Sequence, residues 1–414
     1  MSQALMHPLA SYKTRRDKSR VRVLDSYDII GYIAAGTYGK VYKARSKTGP
    51  ESNKLVAIKK FKTDKEGEVV HYTGISQSAC REMALCREID HRNIIKLTQI
   101  IMEDKCIYMA FEYAEHDLLQ IIHHHTHSEQ KLIPESILKS VLWQLLNGVS
   151  YLHQNWIIHR DLKPANIMLT ANGIVKIGDL GLARLFKDPL QSLYAGDKVV
   201  VTIWYRAPEL LLGGRHYTPS IDLWAVGCIF AELLALRPIF KGEETKADNN
   251  FNNGGGKKVI PFQKNQFQKV IDILGFPTTT AWPSMINYPE YASVSSLKPG
   301  ESDFNSWCHK AFDGYSTSTT RYGAALLANL FAYDPARRET ANNALLHPFF
   351  TASGGVRITL NAFDGQKYDY PTRRILSDDV DIMAVSYSGS NANTKRSAVV
   401  SGETTGRGRK RKLG

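Results

Sequence analysis

The chain has 414 residues, 43% of them hydrophobic, and a formal net charge of +13. That length exceeds the roughly 250–300 residues at which a single core stops growing, so two core-forming lobes with a cleft between them are expected. The charge sits at the ends, +5 in residues 1–22 and +6 in residues 392–414, which leaves +2 for the middle and argues against a nucleic-acid groove in the body.

In chain order, the basic residues 12–23 run directly into Leu24, Tyr27, Ile29 and Ile30, where the folded body is expected to begin. Ile33-Ala34-Ala35-Gly36-Thr37-Tyr38-Gly39-Lys40-Val41 reads as a strand, a turn and a second strand. Gly36 and Gly39 lack a Cβ, so backbone amides there can approach phosphate oxygens. Val56-Ala57-Ile58-Lys59 is an alternating, β-branched strand that carries a lysine suited to nucleotide phosphates. Such a lysine needs a carboxylate to hold it, and residues 78–88 read as a helix presenting Glu82. Ile107-Tyr108-Met109-Ala110-Phe111 reads as a strand and residues 112–114 as a hinge. The run His123-His124-His125-Thr126-His127 sits among polar residues and reads as a solvated insertion, without the second shell a structural metal requires. Pro134 and Glu135 open an amphipathic helix with Ile137, Val141, Leu145 and Leu152 on one face.

That helix leads into His159-Arg160-Asp161-Leu162-Lys163-Pro164-Ala165-Asn166, and Asp179-Leu180-Gly181 follows thirteen residues after the asparagine. Asp161 is a candidate base, and Lys163, two residues on in extended backbone, points to the same face as a cation for a transferred phosphoryl group. Asn166 and Asp179 are two oxygen ligands of the kind magnesium accepts, since that ion keeps most of its shell for water and phosphate. Trp204-Tyr205-Arg206-Ala207-Pro208-Glu209, Asp222-Leu223-Trp224-Ala225-Val226-Gly227 and Asp334-Pro335 with Arg338 come next. The Asn- and Gly-rich residues 248–258 read as a flexible insertion.

These motifs, in this order, resemble a eukaryotic protein kinase of the cyclin-dependent class over residues 27–350. The resemblance implies an α+β, bilobal kinase fold: a β-rich N-lobe at about 27–111, the hinge at 112–114 and a mainly helical C-lobe at 115–350. It further implies a basic N-terminal extension over 1–26 and a mostly disordered tail over 351–414. ATP and Mg2+ are the implied cofactors. Ile33, Ala34, Ala35, Gly36, Gly39, Val41, Ala57 and Met168 would enclose the nucleotide, with Phe111 behind the adenine, Glu112 and Ala114 bonding it through backbone, Asp117 on the ribose, and Lys59, held by Glu82, on the phosphates. Thr202 would bridge Asp161 and Lys163, and Glu209 and Arg338 would form a buried ion pair. The first glycine of the family's phosphate loop is replaced by Ala34, and Leu180 stands where a phenylalanine is usual. Both are mild departures, and they leave a kinase-fold scaffold with little catalysis as the alternative reading.

Ser76-Gln77-Ser78-Ala79-Cys80-Arg81-Glu82, the Leu180 variant and an activation segment with Asp197 where relatives carry a phosphorylated threonine resemble the Mediator-associated, fungal-type cyclin-dependent kinase whose partner is cyclin C. Arg81, Arg160 and Arg184 would gather around one anion, and Asp197 supplies a permanent, shorter substitute for phosphothreonine. The resemblance implies a cyclin C-like cyclin and Mediator kinase-module subunits as partners, with the N-terminal extension helping to dock the cyclin. It also implies phosphorylation of Ser-Pro and Thr-Pro sites, including the RNA polymerase II C-terminal repeat, with Arg206, Val200 and Val201 accepting the proline. Direct sequence-specific nucleic-acid binding and membrane attachment are not expected.

Five cysteines without a C-x-x-C pair argue against disulfide and zinc frameworks and for a reducing compartment. The most apolar stretch, residues 223–231, is too short to span a bilayer. Arg407-Gly408-Arg409-Lys410-Arg411-Lys412, in a Ser/Thr/Gly setting, reads as a nuclear-import address, which places the expected function in the nucleus.

Overall fold

The computed structural model describes residues 6–35, 39–47, 52–61, 77–103, 106–186, 202–215, 218–245, 262–352, 358–366 and 368–376. Gly36, Asp197, Val200, Val201, the 248–258 insertion and the basic cluster at 407–412 lie outside these residues. Among the described residues no helix is long and apolar enough to cross a membrane.

Five antiparallel strands, β1 (Tyr27–Ala35), β2 (Gly39–Ser46), β3 (Leu55–Phe61), β4 (Leu97–Glu103) and β5 (Cys106–Glu112), form one sheet in the order β1-β2-β3-β5-β4. The period-2 pattern of β3 explains its two faces. Val56 and Ile58 are buried in a small core with Val23, Tyr27, Ile101 and Tyr108, while Ala57 and Lys59 face the cleft. Register carries that facing across the sheet, with Val41 opposite Lys59 and Phe111 opposite Ala57. At Gly39 a Cβ would lie 2.1 Å from the Lys60 carbonyl oxygen, so the close approach of β2 to β3 there admits glycine only.

The N-terminal segment contributes to this lobe. Val23, in a short Val23–Ser26 helix, is buried and donates its amide to Glu103 Oε2 at 2.9 Å. The preceding helix, Met6–Lys18, has exposed side chains at residues 10–16 and ends on Arg15, Arg16 and Lys18, a favourable charge for a helix C-terminus.

The second lobe is built around the Glu135–Gln154 and Ser220–Ala235 helices, whose apolar residues join one large core. A small sheet ordered His116–Asp117, Ile167–Leu169, Val175–Ile177 lies at the lobe junction. The lobes are tied there by backbone bonds, Ile95 N–H to Ile177 O at 2.9 Å and Ile177 N–H to Asn93 O at 2.8 Å. Asn93 Nδ2 donates to Gln144 Oε1 at 3.1 Å and Val175 O at 3.0 Å, so this buried amide at the junction is paired. Below the cleft Arg338 and Glu209, both buried, form a two-pronged pair at 2.7 and 3.0 Å, with Arg338 also stacked over Trp224. The architecture is α+β and bilobal, a β-rich smaller lobe beside a mainly helical larger one, as expected.

Two expectations change. The packed unit does not stop at residue 350: it extends to Leu376, because Ala362, Phe363 and Tyr370 are buried in the large core. Nor is the histidine run a solvated insertion. The chain is helical from Leu118 through Glu129, and His125 is buried, with Nδ1 against Lys131 O at 3.0 Å and Nε2 against the Tyr370 hydroxyl at 2.9 Å. Helical periodicity turns one residue of the run inward while His123 and His127 stay exposed.

Candidate active site

A cavity of about 380 Å³ lies in the cleft between the sheet and the larger lobe. Its roof is Ala34, Gly39, Val41 and Ala57, its back Phe111, and its floor Met168. Glu112, Tyr113 and Ala114 line the hinge side. Gly178 brings the Asp179 segment close under this floor, since a Cβ there would lie 2.2 Å from Met168 Cε.

At the inner end Lys59 Nζ donates to both Glu82 oxygens at 2.8 Å and to Asp179 Oδ1 at 2.9 Å. The helix that presents Glu82 spans Gln77–Glu88 and packs against the Leu180–Leu182 turn, where Leu180 is a buried apolar plug. Burial alone would depress the Lys59 ammonium, but the two carboxylates overcome it and raise the pKa above the ordinary value. Burial pushes Glu82 up despite Lys59, whereas Asp179 is held below the ordinary carboxylate value because Lys59 outweighs its own burial.

The catalytic-loop residues gather at the other end. Asp161 is buried, and its Oδ2 accepts from Lys163 Nζ at 2.7 Å and Asn166 Nδ2 at 3.0 Å. Its Oδ1 is buried without a hydrogen-bond partner. Burial raises the Asp161 carboxyl above its ordinary value, with Lys163 opposing part of that rise. Asn166 also donates Nδ2 to Asp161 O at 2.7 Å, so its amide donors are committed and its side-chain oxygen remains an acceptor. The ring of His159 joins the two segments. Gly178 O can only accept and the Asp161 amide can only donate, so His159 carries its proton on Nε2 and accepts at Nδ1, at 2.9 and 3.2 Å.

Asp222 holds the loop from beneath. It is almost fully buried and accepts from His159 N–H at 2.8 Å, Arg160 N–H at 2.9 Å and His153 Nε2 at 2.9 Å. Burial alone would raise its carboxyl, but the His153 hydrogen bond and its neighbours hold it below the ordinary value. Arg160 is left-handed, with φ 71°, and Asp179 likewise, with φ 57°, conformations that non-glycine residues adopt only where surrounding contacts impose them.

The structure brings together most of the expected residues, with exceptions. Thr202 does not bridge Asp161 and Lys163: it is exposed, and among the described residues no hydrogen bond joins it to either, Lys163 reaching Asp161 directly instead. Ile33 and Asp117 flank the cavity without lining it, and Ala35 ends β1. Arg160 donates Nη1 to Leu182 O at 3.2 Å, and Arg184 pairs with Ile158 in a two-residue strand, so both adjoin the start of the activation segment, while Arg81 lies on the Glu82 helix. Asp222, Gly178, Leu182, Ile95 and Arg373 belong to the site or its support without having been assigned to it by sequence. Asp222 carried a signal, since it opens a quoted motif, whereas Arg373 stands far along the chain with no local pattern to mark it.

The arrangement can seat a nucleotide: an apolar slot, a paired lysine, two oxygen donors fit for magnesium and a carboxylate oxygen left free for a hydroxyl proton. The family profile for the protein kinase domain matches residues 27–350. The chain is 62% identical over 389 residues to a protein of Yarrowia lipolytica named serine/threonine-protein kinase SSN3, covering 94% of this chain and 92% of that one. Proteins of the same name from Scheffersomyces stipitis, at 56% identity over 403 residues, and Neosartorya fischeri, at 55% over 406, are covered to 90% and 92%, across 94% and 95% of this chain.

Proposed function

Because the chain belongs to the protein kinase family and is an ATP-dependent serine/threonine kinase, we propose that the cleft residues act as follows and that the enzyme is the cyclin-dependent kinase of a Mediator kinase module. The observation that carries the catalytic assignment is the unpartnered, buried Oδ1 of Asp161, an acceptor among the residues that line the cavity. Asp161 takes the proton of the substrate Ser or Thr hydroxyl as that oxygen bonds to the γ-phosphorus and the bond to the ADP oxygen breaks, the electron pair leaving with ADP. Lys163 steadies the transferred group and Lys59, held by Glu82, orients the phosphates. Asn166 and Asp179 would hold Mg2+, which supplies charge neutralisation to the phosphates when bound. Val41, Ala57 and Met168 enclose the base against Phe111, with Glu112 and Ala114 offering backbone bonds and Asp117 facing the ribose. The scaffold alternative draws no support from a site in which Lys59, Glu82, Asp161, Asn166 and Asp179 are present and engaged.

Cyclin dependence is supported by a groove of about 750 Å³ between the Glu82 helix and β4, lined by Cys80, Met83, Ala84, Ile100 and the exposed Met102. A partner seated there would bear directly on Glu82. The basic Met6–Lys18 helix, exposed at residues 10–16 and followed by the anchored Val23, offers that partner a second contact. Asp197 supplies the anion for Arg81, Arg160 and Arg184, so activation requires the cyclin and no activating kinase. Substrates are Ser-Pro and Thr-Pro sites, the RNA polymerase II C-terminal repeat among them, because proline lacks the amide hydrogen that other residues would leave unpaired beside Arg206. Residues 407–412 direct the protein to the nucleus.

The test is recovery of the native complex followed by assay on polymerase-tail peptides. Retrieval of a cyclin, with activity that falls when alanine replaces the +1 proline and when Asp197→Ala is introduced, supports the proposal. Equal use of alanine, or activity abolished by phosphatase treatment of the kinase, contradicts it.

A further inference from the structure

The histidine run takes no part in the cleft, yet its helical setting gives two of its members fixed places. The Leu118–His123 helix continues into a π-helical turn over His124–Glu129. That turn is pinned from several sides. His125 is held between Lys131 O at 3.0 Å and the Tyr370 hydroxyl at 2.9 Å. Thr126 Oγ1 lies 2.7 Å from Ile122 O and 3.2 Å from Leu236 O, so its hydroxyl ties the turn both to the preceding helix and to the end of the Ser220–Ala235 helix. Backbone anchored in this way fixes the spacing of the side chains it presents to solvent.

His123 and His127, four residues apart, are both exposed, and their rings lie face to face with centroids 5.6 Å apart and 24° between planes. His127 Nδ1 is 3.1 Å from His123 O. A carbonyl can only accept, so His127 carries its proton on Nδ1 and keeps Nε2 as a lone-pair donor. Imidazoles that bind metal are oriented in this manner, the other ring nitrogen donating to a backbone carbonyl or a carboxylate. Among the described residues no hydrogen bond ties the ring of His123. The other two histidines of the run are engaged elsewhere, His125 as above and His124 with Nε2 3.5 Å from Glu129 Oε1. Two nitrogens bound to one ion at about 2.0–2.1 Å stand about 3 Å apart, which requires only that the untied His123 ring turn toward its neighbour.

We propose that His123 and His127 chelate a borderline divalent cation of the zinc and nickel class on the outer face of this helix, with water completing its shell. Imidazole nitrogen suits such ions, whereas magnesium takes oxygen, so this site and the Asn166 and Asp179 oxygens of the cleft select different metals. Among the described residues no group of three or more His, Cys, Asp or Glu side chains is placed to hold one ion. The pair is therefore half of a structural zinc set, a site that fills and empties with the metal supply rather than one on which folding depends. It is independent of the reading of the cleft as an ATP site.

The experiment is calorimetric titration of the untagged full chain with Ni2+ and with Zn2+, in an excess of Mg2+ that occupies oxygen sites. A site with Kd of about 1–100 µM is expected for both ions, the range for half the ligands of a structural zinc centre. His123→Ala and His127→Ala should each weaken it by about tenfold or more, because the second nitrogen of a chelate acts at high effective concentration. His124→Ala should leave it unchanged. Should an alanine variant fail to fold, as a parallel melting curve would reveal, His123→Gln and His127→Gln carry the same expectation. Binding no tighter than about 1 mM overturns the proposal, as does displacement of Ni2+ by Mg2+. Affinity retained in both the His123 and His127 variants overturns it too, and so does an equal loss in His124→Ala, which would place the ligands elsewhere in the run.

Discussion

Replacing Asp222 with alanine should disable catalysis from beneath the site, without touching substrate. The carboxylate accepts from the amides of His159 and Arg160 and from His153 Nε2, all within 2.9 Å. Its removal strands two buried amides, at about 1–3 kcal/mol each, so a loss of about 2–6 kcal/mol is the expected scale. Arg160 then loses the backbone bond that helps hold it at φ 71°, a conformation that stores roughly 1–3 kcal/mol, and its relaxation displaces Asp161 next in the chain. A misplacement of about 1 Å at reacting groups costs on the order of a hundredfold in rate. Asp222→Ala should therefore lose about that much kcat at saturating ATP, alongside a clear drop in melting temperature. Asp222→Asn keeps one acceptor oxygen but turns a donor toward an amide, and should fall between. A variant that melts early yet keeps its kcat would show that the loop geometry does not depend on this carboxylate.

Other outcomes follow from the same contacts. Arg338→Ala leaves Glu209 buried and unpaired, so unfolding should show a loss of about 3–5 kcal/mol, with part recovered when Glu209→Met is added; a loss below about 1 kcal/mol contradicts a fully buried pair. Asp161 is raised by burial and lowered by Lys163, so the acid limb of kcat/KM should lie above the ordinary aspartate value of about 4. Lys163→Ala removes the opposing cation, and the limb should move to still higher pH, while an unmoved limb would show that it belongs to another group. Asp222, held low in the folded chain, contributes stability that is present above the ordinary carboxylate range and lost as pH falls through its folded value. Acid unfolding of Asp222→Asn should accordingly be less steep.

Contacts between motifs that are compact in sequence were legible before the structure. The alternating β3 pattern placed Lys59 on the cleft face, and the helix at residues 78–88 placed Glu82 within reach, giving the 2.8 Å pair. Asn166 and Asp179 each lie in a short, spaced motif, and both line the cavity. Contacts that depend on tertiary path were not. Arg373 enters the cavity from a segment far along the chain from Asp117, held there by backbone bonds to Glu115 and Tyr32 that leave no composition signal. The inward turn of His125 is hidden in a polar run that does not mark which of its members a helix buries, and the Tyr370 hydroxyl that meets its Nε2 comes from a distant segment. Thr202 failed as a bridge because its exposure follows from the path of the chain around Ile203 and Tyr205, both buried, which pattern alone does not encode.

The free oxygen of Asp161 is the proposed base for phosphoryl transfer. Single-turnover transfer from γ-labelled ATP to a Thr-Pro peptide, by the full chain with its cyclin, tests it against Asp161→Asn, which keeps the shape of the side chain and removes its basicity. A fall of about 10²–10⁴-fold in rate, with ATP affinity unchanged, is the predicted result. Transfer at the unaltered rate would show that Asp161 is not the base.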